Sequence, residues 1–283
     1  MINFIQSILY GLTIGGILYI ISIGLSLTFG AMGIVNFAHG LIYAVGAYAL
    51  YTVANLLGAN FLVGAVAAVA VSIPLSFLIE RYIIRRLYGQ NIDYAIIATY
   101  AVLLIGADAL KWLFGASPLP ISDPVGELWR FGGLQMPAFR VIIIALSGLV
   151  FVGLSLFFKK TLVGKIVMAG IQDREAVRSL GINVNKYFAI VFVIGSALAA
   201  LGGVLYAPLS TLDPYMGFSI IILCFAVVIV GGMGNLKGTA IAAFSLGMVH
   251  SLTAAYLVSS ASDAMVYVVM ALVLIFRPIE TTA

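Results

Sequence analysis

Residues 138–187 read AFRVIIIALSGLVFVGLSLFFKKTLVGKIVMAGIQDREAVRSLGINVNKY, and this stretch decides the fold. Ala138–Phe158 is an apolar run of the length that carries an α-helix across a hydrocarbon core about 30 Å thick. At Lys159 it gives way to an island of charge: six of the chain's 14 basic residues lie between Lys159 and Lys186. Apolar sequence resumes at Tyr187. A chain that gathers charge on one internal loop between membrane-length runs presents that loop to a partner or to the headgroup layer.

The composition extends this reading to the whole chain. Its 283 residues are 63% hydrophobic and 8% charged, where soluble domains average roughly 25% charged. So few polar residues cannot cover a core in water, which excludes a soluble globular domain. The net charge of +4 follows the ends of the apolar runs, so no nucleic-acid partner is expected. Cys224 is the only cysteine; it forms no intrachain disulfide and reads as a small buried hydrophobe. The first apolar segment has no basic residues before it and no small-residue cleavage pattern, so it is expected to be a retained span.

The expected spans are Ile5–Thr28, Ala38–Leu57, Phe61–Ile79, Ile92–Leu113, Ala138–Phe158, Tyr187–Ala207, Phe218–Val230, Thr239–Val258 and Ala264–Phe276. Phe218–Val230 is short for a full crossing at about 1.5 Å per residue. Arg81, Arg85 and Arg86 share one connecting segment and the charged island is two spans later; the loop between them, Gly115–Pro137, sets Arg130 against Asp123 and Glu127. The positive-inside rule places both basic segments inside, with Lys237 and the C-terminal Arg277. Gly30, Gly33, Asn36, His39 and Gly40 mark a place where an early helix is broken or re-entrant. A full crossing by Ala38–Leu57 gives nine membrane segments and an outer N-terminus; an interrupted one gives eight and an inner N-terminus. The glycines of the first and sixth spans, among them Gly11, Gly15, Gly16, Gly195, Gly202 and Gly203, read as close helix packing or as a flexible element.

Within the island, Ala169, Gln172, Ala176 and Leu180 recur at helical spacing, which predicts one short amphipathic helix over Gly164–Leu180 closed by Gly181. Arg174 and Arg178 stand at i,i+4, a repulsive pair that Asp173 and Glu175, or a partner protein, would offset. Two readings stay open: a solvated loop anchored at the headgroups by Lys159, Lys160 and Lys165, or a helix that docks a soluble partner.

These residues carry a family resemblance. Glu175-Ala176-Val177-Arg178-Ser179-Leu180-Gly181 resembles the Glu-Ala-Ala-three residues-Gly signature of ATP-binding cassette importer permeases, with Val177 at the second alanine and no downstream proline. Gly30-Ala31-Met32-Gly33-Ile34-Val35-Asn36-Phe37-Ala38-His39-Gly40 resembles the early signature of branched-chain amino-acid permeases of the LivH type. Ile79-Glu80-Arg81, Leu180-Gly181-Ile182-Asn183, Asp213-Pro214-Tyr215-Met216-Gly217 and Gly231-Gly232-Met233-Gly234-Asn235 match further blocks in the family's order. The resemblance implies a cytoplasmic loop at 159–186 that contains a coupling helix, with Asp173, Arg174, Glu175, Ala176, Arg178 and Gly181 facing an ATPase. It also implies a related second permease subunit, two cytoplasmic ATPase subunits, an external solute-binding protein and a multi-pass location in a bacterial inner or plasma membrane. This chain has no Gly-rich loop ending in Lys-Ser or Lys-Thr, so no cofactor is expected on it and ATP is expected on the partner subunits.

Asn36 and His39, three residues apart, share a helical face and are candidates for the pathway or its gate; His39 also reads as a satisfied histidine at the inner interface. Asp213, beside Pro214, is a candidate for receiving substrate or contacting the binding protein, or an element of loop structure. Asp108 and Lys111 read as a local pair with the lysine snorkelling outward. Gly231–Gly238 reads as a compact turn, and Trp112 and Trp129 as interfacial anchors. No metal site and no enzymatic constellation is expected. The fold class expected is an all-α polytopic membrane protein of one transmembrane domain, residues 1–283, with eight or nine membrane segments and the C-terminus inside. The function expected is translocation of branched-chain or other apolar amino acids. Importer permeases for urea or short amides, an ion-coupled secondary transporter and a non-transporting assembly subunit are the alternatives.

Overall fold

The computed structural model describes residues 2–131, 134–257 and 259–276; Arg277 and Val258, used in the readings above, lie outside them. Each of the nine apolar segments coincides with a helix. The first, α1 (Ile2–Met32), is the axis of the bundle. It has 31 residues, about 46 Å at the standard rise. Of its apolar window 72% is buried, against 28% for α3 (Phe61–Tyr82) and 22% each for α4 (Ile92–Phe114) and α5 (Ala138–Lys160).

Glycine lets α1 take that central place. A Cβ built on Gly24 would lie 2.8 Å from the Cα of Gly195 on α8 (Val184–Tyr206), so the two backbones touch. Gly11 and Gly15 lie against Met248 and Phe244 of α10 (Leu236–Tyr256). In lipid, association depends on such close contact, because hydrocarbon gives apolar surfaces no reason to separate from solvent. The peripheral helices instead leave Leu62, Val66, Ile97, Ile105 and Leu149 exposed, as a surface facing acyl chains requires.

Among the described residues six helices are long and apolar enough to cross a membrane: α1, α3, α4, α5, α8 and α10. Three more are shorter: α2 (Ala38–Tyr51, 14 residues), α9 (Met216–Gly231, 16 residues) and α11 (Ser262–Phe276, 15 residues). The protein is an all-α polytopic membrane protein. A small antiparallel hairpin, β1 (Leu128–Phe131) with β2 (Leu134–Pro137), pairs Trp129 with Met136 in the loop before α5. The sequence reading did not anticipate it.

The early break falls at residues 33–37, between α1 and α2. Gly33 turns the chain at φ +67°, a left-handed conformation that glycine adopts without a Cβ penalty. Thr99 of α4 is buried against the break. Its oxygen accepts the Phe37 N–H at 3.1 Å, and its proton is shared between the Ala95 carbonyl at 2.7 Å and the Val35 carbonyl at 3.1 Å. Irregular backbone is thus covered by protein, the condition for tolerating it at membrane depth. Thr99→Val leaves the Phe37 N–H without an acceptor and is expected to lower stability by about 1–3 kcal/mol. Thermal melting of the solubilised chain checks this, with Thr99→Ser keeping the wild-type midpoint; equal midpoints for valine and threonine would refute it.

The island is not one helix, contrary to its periodicity. It forms α6 (Leu162–Gln172) and α7 (Arg174–Ser179), separated at Asp173, whose φ of −149° and ψ of 99° are extended. Asp173 accepts the Ala176 N–H at 2.9 Å. An aspartate that caps a new helix outcompetes continuation of the old one. Gly181 ends α7 as expected, at φ +78° with its N–H on the Arg178 carbonyl at 2.9 Å.

The two ends of the bundle differ. At one, the Gln6 amide donates to the Gln135 carbonyl in β2 at 3.1 Å. Leu119 and Leu212 exchange backbone bonds at 3.0 and 2.8 Å, tying together the loops before the hairpin and before α9. At the other end the α9–α10 turn folds onto α1: the Gly234 N–H donates to the Ser26 carbonyl at 3.1 Å, and Asn235 caps α10 through the Gly238 N–H at 3.1 Å. That turn is compact, as read from Gly231–Gly238. The α3–α4 connection and the island gather at the same end, where Arg174 lies over the Tyr88 ring.

Candidate functional site

A cavity of about 550 Å³ lies at the hairpin end, among α1, α2, α5, α8, α9, α10 and α11. One wall is apolar, from Ile17, Leu18, Ile220, Leu223 and Val266. Charged side chains line it as well. Arg140, in the first turn of α5, is half-buried with its guanidinium 4.4 Å from the centre of the Tyr10 ring. His250 Nε2 lies 3.1 Å from an Asp263 carboxylate oxygen, joining α10 to the first turn of α11. Among the lining residues Arg140 is the only arginine or lysine, and Asp213 and Asp263 are the acids. A space of this size, apolar with a few fixed polar groups, suits a small amphiphilic solute.

The structure distributes the sequence-selected residues unequally around this cavity. Asp213 lines it and also holds the chain locally, its carboxylate accepting the Tyr215 N–H at 2.8 Å. The local bond is the loop-structure role read for Asp213. His39 is fully buried and does not line the cavity; its Nε2 lies 2.9 Å from the Ile21 carbonyl. Ile21 follows Ile17 by one turn, and His39 precedes Tyr43 by one turn. Since Ile17 and Tyr43 both line the cavity, His39 sits one helical turn beyond its floor. Asn36, 1% exposed, lies further along in the break, and both its side-chain polar atoms lack a partner. The His39 Nδ1 lacks one too. Such groups are costly in a dry interior.

Asp108 and Lys111 are not in direct contact as read. Tyr215 stands between them, its hydroxyl donating to Asp108 at 2.8 Å and its ring 5.7 Å from the lysine ammonium. Arg140, His250 and Asp263 escaped the sequence reading, although charge within a turn of an apolar span's end is itself a signal.

At the opposite end, α7 buries only Val177 and exposes Glu175, Ala176, Arg178 and Leu180, the last at 76%. The Asn185 side-chain oxygen accepts from Arg174 at 2.7 Å and from Arg178 at 3.4 Å. The two guanidinium groups thus share one amide oxygen of α8. Arg174 is clamped between the rings of Tyr88, 5.4 Å, and Phe188, 5.3 Å. Burial lowers its pKa below the ordinary arginine value, and the Arg178 charge adds to that shift. Tyr88 donates to Glu80 at 3.1 Å and touches the Met32 sulfur at 3.7 Å; burial, then the Glu80 charge, push its hydroxyl pKa up. Arg174 thereby links α7 to the α3–α4 connection, to α8 and to the last residue of α1.

Comparison with known proteins identifies the family. Residues 7–277 match the family described as "Branched-chain amino acid transport system / permease component". The chain is 28% identical to the high-affinity branched-chain amino acid transport system permease protein BraD of Pseudomonas aeruginosa, over 98% of this chain and 94% of that protein. It is 26% identical to LivH of Escherichia coli K12, over 97% and 94%. LivM of Salmonella typhimurium, another permease protein of such a system, is 28% identical over 92% of this chain and 66% of its own length. With its membrane-length helices and a match that spans nearly the whole sequence, the chain belongs to the branched-chain amino acid transport permease family, as a multi-pass inner-membrane permease subunit of an ABC importer.

Proposed function

We propose that the hairpin-end cavity is the outer vestibule of the import pathway and that α7 is the coupling helix met by an ATPase. The observation that carries the first part is the charge pattern of the cavity. A free branched-chain amino acid is a zwitterion with an aliphatic side chain, and Arg140, the two aspartates and the Ile-Leu-Val wall complement its three parts. An external binding protein delivers the solute there. His39 and Asn36, beyond the floor, form the closed continuation of the path, where their unpartnered polar atoms await a state that supplies partners.

The arrangement supports nine crossings with the N-terminus outside. The start of α1 is tied to the hairpin end, and residues 33–37 with α2 carry the chain back toward it. Lys159, Lys160, Lys165, Arg174, Arg178 and Lys186 then fall inside with the α3–α4 arginines. A related second permease, as LivM stands beside LivH among the relatives, and two ATPase subunits complete the transporter. ATP biases the equilibrium between outward and inward states; this chain is the two-state element. Motion of α7 reaches the bundle through Arg174, Tyr88 and Met32.

ATP-dependent uptake of leucine into vesicles holding the assembled complex and its binding protein tests the reading. Uptake that persists without the ATPases would sink it in favour of a secondary transporter. Charge reversal on α7, as Glu175→Arg or Arg178→Glu, is expected to reduce co-purification of the ATPase at least tenfold while protease mapping shows normal insertion. Full ATPase recovery with both variants would remove α7 from the interface.

A further inference from the structure

A second groove, of about 640 Å³, lies far from the vestibule, on the outer flank of the bundle where α3 meets α8. Its body is apolar: Ile73, Pro74 and Phe77 from α3 face Ile190, Val193 and Ile194 from α8. On each helix these residues recur at helical spacing, so each contributes one continuous stripe. Ile73 and Phe77 are nearly half exposed, at 45% and 47%, and among the described residues no protein element covers the groove. At the island end it changes character. Arg85 and Lys186 line it there, with the side chains of Asn183 and Asn185.

We propose that this groove binds one anionic phospholipid, its phosphate between Arg85 and Lys186 and one acyl chain along the α3–α8 stripe. Geometry and charge both favour that occupant. From Lys186 to Ile194 the α8 wall spans roughly 12 Å at the helical rise, room for the first part of an acyl chain, and it starts from the basic end. Lys186 is exposed, and Arg85 has only a 3.4 Å contact with Glu80, at 40% side-chain exposure. The Asn185 oxygen is engaged by Arg174 and Arg178, which leaves its amide N–H groups to donate. Helix α8 begins at this point with no side-chain cap, and its dipole adds positive potential there. A zwitterionic headgroup would bring its own cation against these charges. The site also adjoins the Arg174 clamp through Asn185, so the lipid would sit beside the segment that connects α7 to α8.

Native mass spectrometry of the purified full chain, titrated with phosphatidylglycerol or with phosphatidylcholine of the same acyl chains, tests this. Wild type is expected to retain one phosphatidylglycerol with a preference of about 25-fold, each basic side chain contributing about a factor of five. The double variant Arg85→Gln/Lys186→Gln should fall to near parity. Ile190→Trp, which fills the stripe and leaves the charges, should lose both lipids while keeping the wild-type melting profile. Equal retention of the two lipids by wild type, or an undiminished preference in the double variant, overturns the proposal. So does displacement of the lipid by glycerol phosphate alone. A disulfide forming between two copies of Ile190→Cys in the membrane would assign the groove to a second copy and equally refute it.

Discussion

Vesicles carrying Arg140→Gln are expected to take up leucine about 100-fold more slowly than wild type, at subsaturating substrate. The cavity offers the solute's carboxylate one permanent cation, because His250 is already engaged by Asp263. Removing one member of a desolvated charge pair costs about 2–5 kcal/mol, much of it the penalty of leaving the other charge unpaired, and 2.7 kcal/mol is about 100-fold. Glutamine keeps much of the length and the hydrogen-bonding ability, so the loss isolates the charge. Arg140→Lys restores the charge without the planar fork, or the stacking on Tyr10, and should recover only part of the rate. The binding protein's affinity and the insertion of the chain serve as controls. Uptake within twofold of wild type for the glutamine variant would remove Arg140 from the vestibule.

Gly24→Val is expected to destabilise the bundle by about 3 kcal/mol, at the upper end of ordinary overpacking. The added Cβ would meet the Gly195 backbone, with the nearest atom its carbonyl oxygen and the Cα at 2.8 Å. Backbone atoms cannot rotate aside as a side chain would, so α1 and α8 must separate along a buried seam of the bundle. Gly148→Val is the matched control: nothing lies within 4 Å of its Cβ position, which faces outward from α5. Heating both variants and following monodisperse protein by size exclusion distinguishes them. The same loss in both would mean that the Gly24–Gly195 contact is not special.

The helices were legible because an apolar run near 20 residues has few other uses, and all nine runs coincide with helices. The break near Gly33 was legible for a related reason: Gly30, Gly33, Asn36, His39 and Gly40 are unusual company inside an apolar segment. Asp173 misled because Ala169, Gln172 and Ala176 keep helical spacing straight through it; its capping ability was the competing signal, and it won. The cavity was hidden for a different reason. Ile17, Arg140, Ile220 and His250 meet only once the helices assemble, and a charge tally taken over loops passes over Arg140 and Asp263, which sit just inside their helices. The hairpin's cue, two short runs around Gly132-Gly133, is weak beside the membrane signal.

The two ends of α7 have a thermodynamic consequence. A helix of six residues is not populated by a free chain in water, since nucleation outweighs so few internal bonds. Here Asp173 satisfies the first turn, Gly181 closes the last, and Val177 holds the middle against the protein. The segment is ordered before anything meets it. Association on this face therefore carries no folding term, and its heat-capacity change should follow the area covered rather than the larger value of a segment that orders on contact.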